Sequence, residues 1–208
     1  MALNTLRMIL VVGLIVSLLG SLIPVETVYA LRATSSSDNL PALATFVEQV
    51  RNDQADQLRG LYVPELFAFP VIQQPADDYG FVSPRDHIVT QFGLASRFGS
   101  TGLLAHNHLA GQHFLLFEKN QIFHLVYGDG AISTFVVTEI LEYQALAPES
   151  PSSRFISLQD GALKTAPELF SELYHNEGKV ILQTCISKGS QLTWGRLFII
   201  AEPYFGAP

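Results

Sequence analysis

The chain contains one cysteine, Cys185, at the close of the apolar run VILQTC. An arginine, Arg196, follows eleven residues on, within the next apolar run, WGRLFII. A lone thiol can be a small core side chain, because free cysteine is often simply buried. It can also be a nucleophile, which requires a thiolate fraction, a group that exchanges protons, and charge stabilisation at the attacked carbonyl. A free thiol of pKa about 8.5 is mostly protonated at neutral pH, so a cation or an imidazole must assist it. An arginine inside an apolar sheet is costly unless it meets a ligand or a carboxylate. The plainer reading of Arg196 is a strand-end side chain reaching to solvent.

Six histidines could serve as the proton partner: His87, His106, His108, His113, His124 and His175. His106 and His108 stand out in GLLAHNHLAG, directly after an apolar strand candidate, where a base can be rigidly aimed. The spacing of His106, His108 and His113 also fits a second chemistry. His-x-His puts two imidazoles on one face of a strand, as a metal site on a cupin-like barrel would require. Glu118 does not complete the cupin spacing, and that reading leaves Cys185 and Arg196 without a purpose.

The elements that must hold these residues are mostly β. Short apolar runs follow Pro70, including HIVTQF (residues 87–92) and TGLLAH (residues 101–106). In IFHLVYGDGAISTFVVTEI, two β-rich runs flank Gly128, Asp129 and Gly130, where glycine permits the positive φ of a tight hairpin. TAPELFSELYHN reads as a helix with Pro167 early in it, and between Pro41 and Leu61 the apolar Leu43, Phe46, Val47, Val50 and Leu58 recur near helical spacing, which predicts one short helix there. KVILQTC and WGRLFIIAE read as two buried strands joined by the polar loop ISKGSQLT. Regularly spaced short strands with few helices predict a barrel or a sandwich.

With 48% hydrophobic residues, 14 Phe and 7 Tyr, the 208-residue chain can bury a substantial core, which argues against disorder. A formal charge of −7 gives no basic footprint for nucleic acid. Met8 to Ile23 is an uncharged apolar stretch behind Arg7, ended by Pro24, and Val28-Tyr29-Ala30 offers a cleavage site. The reading is an exported chain. Residues 1–30 form either a signal peptide cut after Ala30 or a retained hydrophobic helix that tethers the protein to the membrane. Residues 31–62 are a Ser-rich linker and a short helix, and residues 63–208 form the folded domain. Export sharpens the question of the thiol, since an oxidising compartment favours paired cysteines and a single one suggests a reactive role.

TGLLAH, LAGQHFLLFEKNQIFHLVYGDGAISTFVV, VILQTC and WGRLFII together resemble the sortase family of cysteine transpeptidases, over roughly Val63 to Pro203. The family's order is a strand ending in a histidine, a later Thr-x-Thr-Cys-like strand end, and an arginine leading the next strand. Here Ile181 stands where a threonine is common, Thr184 is retained, and NHLAG replaces the usual continuation after the histidine. The resemblance implies an eight-stranded, mostly antiparallel β-barrel with short helices. It also implies Cys185 as nucleophile, His106 (or His108) as acid and base, and Arg196 as oxyanion clamp, with no metal or organic cofactor. The implied partners are exported proteins bearing a sorting-type peptide and an amine acceptor at the cell surface. A sortase-like surface module without catalysis is the remaining alternative.

Overall fold

The computed structural model describes residues 40–206. The N-terminal hydrophobic segment and nearly all of the Ser-rich linker lie outside these residues. Among the described residues no helix is long and apolar enough to cross a membrane.

The described chain is mostly β, with three α-helices, of which the short second one, α2, is Gly93–Ser96, and one 3-10 helix. The ten strands are β1 (Leu58–Val63), β2 (Phe67–Gln73), β3 (Val89–Phe92), β4 (Thr101–Leu104) and β5 (Ile122–Tyr127), followed by β6 (Ile132–Ala145), β7 (Arg154–Ser157), β8 (Leu163–Thr165), β9 (Val180–Lys188) and β10 (Gln191–Pro203). Eight of them close into a barrel in the order β10-β9-β4-β3-β2-β1-β5-β6, and β6 pairs back onto β10. The β2–β3 and β4–β9 seams are parallel, and the other six are antiparallel. The barrel is therefore mixed.

Two long strands make the closure. One edge of β6 pairs with β10 from Phe135 to Gln144. The other edge is shared: β5 takes residues 132–136 and β7 takes residues 143–145. Strands β7 and β8 are thus a flap on the barrel wall, outside the ring of eight. The expected boundary at Val63 falls within β1, because the barrel already begins at Leu58. Helix α1 (Leu43–Val50) is also part of the fold, but it stops well before Leu58, which was expected on it and instead opens β1. It buries Phe46, Val47 and Val50 against Tyr62 and Val126. A side chain at Gly60 would stand 2.6 Å from the Phe46 ring, so only glycine lets that ring lie on β1.

Alternation separates the two faces of β9 and β10. Val180, Leu182, Leu197 and Ile199 point into the barrel core with Leu61, Phe69, Phe123 and Val137. Ile181, Phe198 and Ile200 point outward under helix α3 (Ala166–Tyr174), against Leu169, Leu173 and Tyr174. Helix α3 starts in a capping box: the Thr165 hydroxyl accepts from the Glu168 N–H, and the Glu168 carboxylate accepts from the Thr165 N–H. The helix is thereby held on the outer face, beside the strand pair that carries the thiol.

The interior also sets an acid limit. Burial lowers the His124 imidazole below its ordinary value of 6.5. It does the same to His113, where the nearby His87 lowers it further while the Ala110 carbonyl and Asp86 oppose. An imidazole held neutral by the fold contributes full stability above 6.5, and that contribution is lost as pH falls below it, where the unfolded chain takes up the proton. The melting temperature is therefore expected to fall between about pH 7.5 and about pH 5.5. A His113→Gln, His124→Gln double variant should show a visibly flatter profile over that range, and equal slopes would refute this origin.

Candidate functional site

Cys185 sits well inside β9, and its direct cross-strand partner on β10 is Arg196. Strand-end placement was expected for both, with a loop between them. Instead the strands run on to Lys188 and Gln191 and turn through Gly189, whose φ is 60°. The expected polar loop is a β-hairpin, with an irregularity between Gln191 and Gly195. Directly opposed side chains of an antiparallel pair share one face, with Cβ atoms about 5 Å apart. The hairpin thus delivers the cation to the thiol through register alone.

That register shows in the electrostatics. Burial pushes the Cys185 thiol above its ordinary value, the Arg196 guanidinium pulls it down, and the Glu149 carboxylate pushes it up. Burial is the largest of the three influences, so the resting group is the neutral thiol. Cys185 is a free cysteine, neither fully buried nor exposed.

Three backbone carbonyls fix the guanidinium. Arg196 Nη1 donates to the Thr193 carbonyl at 3.0 Å and the Gly195 carbonyl at 2.9 Å, and Nη2 donates to the Pro148 carbonyl at 3.0 Å. Two of its five N–H groups remain for a ligand. The Pro148 contact reaches into the β6–β7 connection, and the Thr193 hydroxyl donates to the Glu149 carboxylate. The connection is so tied to the hairpin at two adjacent points.

His106 comes to the thiol from the neighbouring strand. β4 runs parallel to β9 with Leu104 opposite Gln183, and the Ala105 N–H donates to the Gln183 carbonyl at 3.3 Å. The buried Thr184 hydroxyl donates to the Ala105 carbonyl at 2.8 Å. Beyond Leu104 the chain turns: the Leu109 and Gly111 N–H groups both donate to the His106 carbonyl at 3.0 Å, and a 3-10 helix follows (Ala110–Leu116). Asn107 Nδ2 donates to the Leu192 carbonyl at 2.7 Å, which ties this turn to the hairpin. His106 and Cys185 line one cavity of about 130 Å³, together with Val82, Leu104, Ala105, Gln183 and Thr184.

His108 stacks on His106 with ring centroids 5.4 Å apart, but it is exposed and does not line the cavity. The geometry favours His106 over His108 as the neighbour of the thiol. His113 is elsewhere, its ring packed on Phe67, Phe69 and His87. The three-histidine metal reading fails on this point, because the chain leaves the strand after Leu104 and carries His113 away in the 3-10 helix. No cluster of three or more ligating side chains suited to a metal occurs among the described residues. Two larger clefts, of about 450 and 350 Å³, are lined by residues such as Glu118, Lys119, Gln54 and Gln73 and contain no cysteine, serine or histidine.

Gly111 is the keystone of the His106 turn. A Cβ there would lie 2.3 Å from Thr184 Oγ1 and 2.7 Å from the carbonyl oxygens of Ala105 and His106. Two of these three atoms are backbone and cannot swing away. Gly111→Ala is expected to cost about 1–3 kcal/mol, seen as a fall of several degrees in melting temperature. An unchanged melting temperature would mean that the turn is looser than described.

No protein-family model matches the chain, and no curated protein matches it by sequence. Solved structures of class A and class C sortases match over most of the chain at low identity. Sortase C1 from Streptococcus suis is 14% identical with a TM-score of 0.49, covering 79% of this chain and 79% of that one. Sortase C-1 from Actinomyces oris is 14% identical with a TM-score of 0.49, covering 86% and 98%. Clostridium perfringens sortase C, solved with its C-terminal cell wall sorting motif, is 15% identical with a TM-score of 0.47, covering 86% and 96%. This likeness is one of chain course and assigns no residue a role.

Proposed function

We propose that this protein is a sortase-like cysteine transpeptidase that acts on other exported proteins. The observation that carries the reading is the cross-strand pairing of Cys185 with Arg196, beside a cavity that His106 also lines. Because burial keeps the thiol protonated, a general base is needed, and His106 takes the proton as Cys185 Sγ attacks a peptide carbonyl. The two free N–H groups of Arg196 stabilise the oxyanion that forms. The C–N bond then breaks, His106 protonates the departing amine, and the acyl group remains on sulfur as a thioester. In the second half His106 deprotonates an incoming amine, which attacks the thioester. The C–S bond breaks, a new amide forms, and the thiol is restored. Water in place of the amine gives hydrolysis.

The substrate is a sorting-type peptide on an exported protein, and the acceptor is an amine at the cell surface. The N-terminal apolar segment delivers the domain outside the cytoplasm and either tethers it to the membrane or is cleaved. The test is partition: sorting-motif peptides are incubated with the purified protein, with and without hydroxylamine, and the products are separated. A thioester intermediate predicts a peptide hydroxamate that grows at the expense of the free acid. Cleavage whose products ignore hydroxylamine would sink the transpeptidase reading.

A further inference from the structure

Gln183 lies two residues before Cys185 on β9, on the same strand face, and lines the same cavity. The other walls are unlike it. Val82, Leu104 and Ala105 are apolar, and the Thr184 hydroxyl is already spent on the Ala105 carbonyl. Among the residues that line this cavity, the Gln183 carboxamide is therefore, apart from His106 and Cys185, the polar side chain that a bound peptide would meet.

Its orientation is set from below. The Tyr174 hydroxyl, buried at the end of α3, donates to Gln183 Oε1 at 2.8 Å. Tyr174 is itself held where the Ser100 hydroxyl donates to its carbonyl at 2.8 Å. Burial pushes the phenol well above its ordinary value, so it keeps its proton. That proton has no other acceptor among the described residues, and a buried O–H left unpaired is costly. The carboxamide oxygen must therefore face Tyr174, which turns the NH₂ away from it. Gln183 Nε2 makes no hydrogen bond to the described residues and is not sealed from solvent.

We infer that Gln183, aimed by Tyr174, is a specificity-determining residue that selects peptides carrying a hydrogen-bond acceptor side chain two positions from the attacked carbonyl. The inference rests on the transpeptidase reading and names a feature of its substrate. The spacing follows from strand geometry. Two residues of β9 span about 6.5 Å, the same distance that two residues of an extended peptide span beside it. An apolar side chain at that position would leave the Gln183 N–H groups desolvated and unpaired, which is how a built polar contact rejects a poor fit. Asn, Gln, Ser or Thr would satisfy them.

The experiment measures acylation of Cys185 by intact mass, using a positional library of sorting-motif peptides. Asn, Gln, Ser, Thr or Lys is compared with Leu at the residue two before and at the residue two after the one that carries the attacked carbonyl. The wild type should prefer acceptor side chains by about three- to tenfold at one of these positions. Gln183→Glu keeps an oxygen for Tyr174 and so keeps the support of the fold, but replaces the donor with an acceptor. It should lose that preference and favour Lys there instead. Tyr174→Phe should blunt the preference by freeing the carboxamide to flip. Peptides that acylate the protein with the same preference in wild type and Gln183→Glu would overturn this inference and leave the transpeptidase reading standing. Absence of acylation by every peptide would overturn both.

Discussion

Cys185→Ala is expected to abolish peptide cleavage and transfer, lowering turnover by about 10⁴-fold or more, because no other group can form the acyl intermediate. Cys185 is the only cysteine in the chain, and the cavity it lines holds no other nucleophile of comparable strength. Thr184 cannot stand in, since its hydroxyl is buried and committed to the Ala105 carbonyl. The fold should barely register the change. Cys185 lies outside the clusters of buried core residues, so truncation to alanine opens little cavity, and the melting temperature should stay within a few degrees of wild type. Cys185→Ser should be nearly as inactive, because a hydroxyl ionises far less readily than a thiol in a site where burial already disfavours the anion. Circular dichroism melts and peptide turnover on the same preparations separate loss of chemistry from loss of fold. Turnover retained in a folded Cys185→Ala protein would rule out Cys185 as the nucleophile.

Arg196→Met should be the next most damaging change, and it should leave two signatures. Loss of a donor aimed at a developing oxyanion costs about 10²–10³-fold in turnover. The second signature is the thiol itself. Arg196 is the group that pulls the Cys185 thiol down, against burial and Glu149. Removing the cation leaves only influences that disfavour the thiolate, so the midpoint of iodoacetamide alkylation against pH must move to higher pH. Arg196→Lys divides the two effects. An ammonium keeps the charge, so the alkylation midpoint should stay nearer wild type. It cannot reproduce the fork that meets the Thr193, Gly195 and Pro148 carbonyls while keeping N–H groups for substrate, so turnover should still fall. A midpoint that does not move in Arg196→Met would show that the guanidinium does not act on the thiol.

The pairing of these two residues was only partly legible in the sequence. The apolar runs around Leu182 and Ile199 announce strands because they face a core. From Ile186 to Thr193 the ribbon runs beyond that core, and Lys188, Gln191 and Leu192 are exposed. Alternation fades where there is nothing to bury, so hairpin reads as loop. The β1–β2 hairpin escaped for another reason: Pro70 interrupts FAFPVIQ, yet the strand tolerates it because pairing with β3 begins only at Val71. The segments β7 and β8 are too short to show a period.

Residue types single out Cys185, Arg196 and His106 as candidates, and the fold sets Cys185 opposite Arg196 and on one cavity with His106. What holds them in place is written mostly in backbone. The Arg196 contacts are carbonyls, as are those that Thr184 and Asn107 use to fix the His106 turn. A carbonyl has no letter in the sequence, so such contacts become visible only once the chain is folded. Gly111 is the exception, since the absence of a side chain there leaves room for three oxygens. The His106, His108 and His113 spacing shows the converse error. Its appeal assumed a continuous strand, and the turn after Leu104 breaks it.

Trapping shows whether Cys185 carries the acyl group. The purified protein is mixed with a sorting-motif peptide, quenched in acid and measured by intact mass, then digested and mapped. A mass gain equal to the acyl fragment is expected, located on Cys185, reversed by hydroxylamine and absent from Cys185→Ala. Peptide cleavage without any adduct on Cys185, or an adduct that persists in Cys185→Ala, would contradict it.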